Sequence, residues 1–101
     1  MKLVWTKRGI KRLQSAFDYI ADNFYLDYAI QFDSDARNVA LMLPDNPRLG
    51  REAFPELERP ELRKILCRNY SYWIYYRVQK RMVEILSVRH ALMNIRTPRQ
   101  L

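Results

Sequence analysis

The chain has one cysteine, one histidine and no long apolar run, and each shortage removes a class of protein. Cys67 alone cannot close an internal disulfide, and its place inside an apolar strand pattern reads as a small buried residue. With His90 the single imidazole and no Cys/His cluster, a structural zinc site has no ligand set to draw on. No stretch approaches the roughly 18 apolar residues of a membrane span. The opening MKLVWTKRGIKR places its charges after its apolar residues and lacks a signal-peptide core, which predicts a cytoplasmic protein. Nucleophile-elbow, phosphate-loop and metal-ligand spacings are also missing, so the residues themselves call for no cofactor and no metal.

What remains is apolar enough to fold. Hydrophobic residues make up 49% and aromatics 13% of 101 residues, which excludes disorder and fits one domain over residues 1–101. The net charge of +7 is unevenly spread. Residues 1–14 carry five bases and no acid, residues 15–58 three bases and nine acids, and residues 59–101 ten bases and two acids. One positive and one negative face follow, and the positive field draws nucleic acid or acidic protein without choosing between them. The acids of the middle are scattered, so a carboxylate-driven hydrolase has no specific support.

Hydropathy patterning predicts β-α-α-β-β-β. Lys2–Trp5 reads as a strand and Thr6 as the cap of a helix whose stripe is Ile10, Leu13, Phe17, Ile20 and Phe24. Asp27 is the expected cap of a second helix striped by Ala29, Phe32, Ala36, Val39 and Leu43, and Pro44 ends it. Four of the five prolines fall in 44–60, which reads as a long irregular connection. Strands are expected at Leu62–Arg68, across the alternating Tyr72–Val78, and at Met82–Val88, with a hairpin turn at Gln79-Lys80. The expectation is an α+β fold: a helical hairpin on one face of a mainly antiparallel four-stranded sheet.

Residues 61–90 put Arg63, Lys64, Arg68, Arg77, Lys80, Arg81 and Arg89 on or beside these strands. Such a sheet suits an anionic target. Trp73 and Tyr75 alternate away from Tyr72 and Tyr76 and can join the cations in a recognition surface. His90 ends the last strand as the one imidazole available for proton transfer.

Several strings in order carry a family resemblance. Val4-Trp5-Thr6 opens the chain, and Gly50-Arg51 and Pro55-Glu56-Leu57 follow. Then come Leu62-Arg63, Tyr72-x-Ile74-x-Tyr76-Arg77-Val78 and Val83-Glu84-Ile85-Leu86-x-Val88-x-His90. Together they resemble the RelE/ParE superfamily of bacterial type II toxin–antitoxin toxins. That resemblance implies no cofactor, a hetero-oligomer with a cognate antitoxin, and growth inhibition by one of two routes. The RelE branch cleaves messenger RNA on the ribosome with lysines, arginines and often a tyrosine. Laid on this chain, Lys64 matches the first lysine, while the remaining positions fall on Leu66, Trp73 and Ala91, and no tyrosine follows Tyr76. The ParE branch lacks that set and inhibits DNA gyrase, and the quoted strings stand closer to it. After His90, where the ParE pattern continues with a small residue and an arginine, this chain reads Ala91-Leu92-Met93-Asn94.

The resemblance thus implies a gyrase-binding toxin, with a ribosome-dependent messenger RNA endonuclease as the alternative and a toxin-fold module without toxicity as the third. Target or nucleic-acid contacts are expected at Arg63, Lys64, Arg68, Trp73, Arg77, Arg89 and His90. On the catalytic alternative the active groups are Lys64 and His90.

Overall fold

In the computed structural model, which describes residues 1–101, β1 (Lys2–Trp5) passes through Thr6 into α1 (Lys7–Asn23). The Thr6 hydroxyl accepts a hydrogen bond from the Gly9 amide at 3.0 Å and donates one to the Ile85 carbonyl at 2.7 Å. The cap therefore also clamps the start of the helix to the sheet. A Cβ on Gly9 would lie 2.5 Å from the Ile85 oxygen, so this close approach admits only glycine despite its poor helix propensity. The buried line of α1 then runs Gly9, Leu13, Ala16, Ile20. Ile10 and Phe24, expected on the stripe, are 52% and 59% exposed. The helix meets the sheet at Gly9, which turns the adjacent Ile10 outward, while Phe24 falls past the last helical residue as the C-cap.

Phe24 and Tyr25 form the turn into α2 (Leu26–Met42). Tyr25, not Asp27, is the N-cap residue, and its side chain makes no capping bond. Asp27 lies in the first turn, where its charge meets the positive end of the helix dipole. Ala29, Phe32, Ala36, Ala40 and Leu43 are buried, the small residues letting α2 lie close to its neighbours.

The sheet has five strands, not four, in the order β1-β5-β4-β3-β2. The addition is β2 (Arg51–Glu52), which pairs antiparallel with Lys64 and Arg63 inside the stretch expected to be irregular. Two residues cannot show a period, so this strand left no pattern. A buried tyrosine fixes the chain before it: the Tyr76 hydroxyl accepts from the Gly50 amide at 2.9 Å and donates to the Pro47 carbonyl at 2.8 Å. Strands β3 (Leu62–Cys67), β4 (Tyr72–Gln79) and β5 (Met82–His90) form the antiparallel meander, and β1 runs parallel to β5. Arg68 lies beyond β3, in a short 3-10 turn with Asn69 and Tyr70.

The hairpin closes on Lys80-Arg81, one residue later than expected, with Gln79 opposite Met82. Lys80 takes φ 51°, a left-handed value that asparagine or glycine holds at lower cost. A bulge sets Tyr75 opposite Ser87 and Tyr76 opposite Ile85, leaving Leu86 unmatched. Ile85 and Val88 can thus both face the helices.

Both helices cover one face, where Leu13, Ile20, Phe32, Ile74, Tyr76 and Ile85 belong to the main core. The opposite face is not bare. Phe54, Leu62, Tyr75 and Leu101 form a second, smaller core there. The terminal residues reach it through a 3-10 turn at Pro98–Gln100, closed by a Thr97/Gln100 capping box. No helix is long and apolar enough to cross a membrane.

Candidate functional site

Strand alternation sends Lys64, Leu66, Trp73 and Tyr75 to the face opposite the helices. The register sets Arg51 against Lys64, Lys64 against Tyr75, Leu66 against Trp73, and Trp73 against Arg89. Two cations converge on one indole: the Lys64 ammonium lies 4.4 Å and the Arg51 guanidinium 4.8 Å from the Trp73 ring centre. Lys64 also stands 5.9 Å from the Tyr75 ring. Neither cation has a carboxylate within ion-pair distance. Burial, and then repulsion by Arg51, holds the Lys64 amine below its usual range, while Glu56 acts in the opposite sense. Beside them runs a cleft lined by Arg51, Glu52, Phe54, Lys64, Asn94 and Arg96.

The other expected contact residues are dispersed. Arg63 points to the chain before β2, donating from Nε and one terminal nitrogen to the Gly50 carbonyl and from the other to Pro60. Arg77 is engaged with Glu84 across the hairpin at 2.8 Å. Arg68 is exposed at the far end of β3. Arg89 is half-buried beside Trp73 and next to Tyr75, and its buried Nε has no hydrogen-bond partner. His90 stands opposite Tyr72, the two rings edge to face at 5.0 Å, and its Nδ1 accepts from the Leu92 amide at 3.1 Å. That bond makes His90 the closing element of the turn after β5. Tyr75, a candidate for recognition, is 3% exposed beneath Phe54 and the chain end.

The surface is thus a small basic and aromatic cluster, Arg51, Lys64 and Trp73, with Arg96 at the rim of its cleft. It can hold an anionic group and offer an aromatic edge. His90 belongs to the other side of the sheet, so it does not meet Lys64. Leu66 and Trp73, onto which the RelE resemblance lays a lysine and an arginine, bring no cation to this face. Arg51 was not legible as a site residue, although its Gly50-Arg51 string was visible, because nothing in the sequence reveals the pairing that brings it to Lys64.

A family model described as the ParE toxin of the type II toxin–antitoxin system parDE matches residues 3–95. The chain belongs to this ParE toxin family. Ten chains of known structure also match it. One is titled as the chromosomal ParDE toxin–antitoxin system from P. aeruginosa. It superposes with a TM-score of 0.75 at 20% identity, over 89% of this chain and 95% of that one. At that identity the likeness shows a shared fold. No curated protein matches the chain. In this ParE toxin the arginine nearest after His90 is Arg96, and it lines the same cleft as Arg51 and Lys64.

Proposed function

We propose that this toxin inhibits DNA gyrase by binding it, acts in the cytoplasm, and is neutralised by a cognate antitoxin in a hetero-oligomer. The ParE match over residues 3–95 carries the reading. The chemistry of the helix-free face supports it. Lys64 and Arg51 rest on an indole, and the single imidazole, His90, lies on the other face of the sheet, away from them and from any proton transfer that cleavage by a 2′-hydroxyl requires. A net charge of +7 favours fast, salt-sensitive association with an acidic antitoxin.

The test is a pair of assays on the purified chain. Supercoiling by gyrase should fall and cleaved DNA should accumulate, while translating ribosomes leave a labelled message intact. Cuts within the A-site codon with gyrase unaffected would reverse the assignment in favour of the endonuclease. Silence in both, with no growth defect on expression, would leave a non-toxic module. Neutralisation is read separately, as restored growth when the protein of the adjoining reading frame is co-expressed.

A further inference from the structure

Lys64 differs from every other lysine of the chain. Lys2, Lys7, Lys11 and Lys80 are exposed, whereas Lys64 is half-buried, its ammonium 4.4 Å from the Trp73 ring centre. Arg51, its partner in the β2–β3 register, shares that indole at 4.8 Å. Neither has a carboxylate within ion-pair distance, so two like charges stand together uncompensated. Burial and that repulsion ease the loss of the Lys64 proton and outweigh the opposing pull of Glu56. The side chain borders a cleft of about 700 Å³ whose walls include Arg51, Arg96, Glu52 and Glu56. Two arginines and two glutamates suit one small anion better than the run of phosphates of a nucleic-acid strand. An amine that sheds its proton readily beside an anion seat is equipped to attack an acyl donor that carries a phosphate.

We propose that Lys64 is an acylation site, its ε-amine taking the acyl group of an acyl phosphate whose phosphate rests on Arg51 and Arg96. The neutral amine donates its lone pair to the acyl carbonyl carbon, and a C–N bond forms. The bond from that carbon to the phosphate oxygen breaks, the phosphate leaves with the electron pair, and the nitrogen gives up one proton to water. Nothing is oxidised or reduced. Acylation turns the ammonium into a neutral amide and ends its repulsion with Arg51. It also removes a free cation from the face assigned above to gyrase, so the modified toxin inhibits less. That consequence rests on the gyrase reading, whereas the acylation itself does not.

The test incubates the full chain with acetyl phosphate and follows each of its five lysines by mass spectrometry. Lys64 should be acetylated about tenfold faster than the exposed Lys80, because the donor is held beside the amine. Excess inorganic phosphate at constant ionic strength should slow Lys64 and leave Lys80 unchanged. Arg51→Gln should slow Lys64 more toward acetyl phosphate than toward p-nitrophenyl acetate, an uncharged donor that needs no anion seat. Equal rates at Lys64 and Lys80, no competition by phosphate, or equal slowing toward the two donors would each overturn the proposal. If Arg51→Gln does not fold, the phosphate competition on the unaltered chain decides alone. Toxin acetylated at Lys64 should then inhibit gyrase only as well as Lys64→Gln does. Undiminished inhibition would overturn the regulatory consequence and leave the site. A chain that never inhibits gyrase would refute the gyrase reading, with the acetylation rates still deciding the site on their own.

Discussion

The two faces of the sheet draw on the same alternating strands yet are finished differently. On the helix side, fifteen buried residues from both helices and the strands form one continuous core. On the opposite side four buried residues, Phe54, Leu62, Tyr75 and Leu101, cover one end, and the other end is left to cations and Trp73. The cations divide in the same way. Arg63 and Arg77 are bonded to Gly50, Pro60 and Glu84 and so fix the structure, whereas Arg51 and Lys64 touch only aromatic rings. A sheet can thus hold its stability on one side and keep unpaired charge on the other.

Removing an aromatic from each core tests that division. Phe32→Ala, in the larger core, should cost about 4 kcal/mol, and Phe54→Ala, under the loop and tail, about 3 kcal/mol. Urea unfolding of both variants measures the difference, and a greater loss at Phe54 would make the second core the principal one. Tyr76→Phe should cost about 2 kcal/mol, because it leaves the Gly50 amide and the Pro47 carbonyl without their buried partner.

A pH experiment examines the helix side by another route. Burial, with Asp35 adding to it, pushes the Cys67 thiol up to about 11 from an ordinary 9.0. The unfolded chain therefore releases this proton first. Stability contributed by the protonated thiol is complete below about pH 9 and is lost as pH rises through the interval to about 11. Unfolding measured from about pH 8 to about pH 10 should lose stability less steeply in Cys67→Ala than in the unaltered chain. Equal slopes would mean that the thiol is not buried as described.

Much of this division was legible before any coordinates. Tyr72, Ile74 and Tyr76 alternate with Trp73 and Tyr75, and that period alone separates the two faces. The helices were visible through their stripes, but the line of contact on α1 was displaced, because Gly9 carries no hydropathy signal and its role comes from Ile85, distant in sequence. The turn teaches the same point at closer range. Closing on Gln79-Lys80 would have set Arg77 opposite Met82. Closing on Lys80-Arg81 sets it opposite Glu84 and turns an apparent target-binding arginine into half of an ion pair. Lys64 and Trp73 could be read as sharing a surface from their strands. Arg51 and the covering of Tyr75 could not, since both depend on chain segments without a repeating pattern returning to the sheet.

The smallest expected change in stability accompanies the sharpest functional contrast. Lys64→Ala removes a cation–π contact worth about 0.5–1 kcal/mol and also relieves its repulsion with Arg51, so the unfolding midpoint should barely move. Arg77→Ala leaves Glu84, already half-enclosed, without its partner and should cost about 1 kcal/mol. On gyrase the order should invert. With the folded fraction matched, Lys64→Ala should weaken inhibition modestly and Arg51→Ala with Lys64→Ala further, while Arg77→Ala leaves it unchanged. Equal losses from the bound and the free cations would show that the target responds to overall positive charge and not to the Trp73 cluster. Were Lys64→Ala instead to abolish cleavage of a message on translating ribosomes, the lysine would be acting in catalysis and the endonuclease reading would replace the binding one.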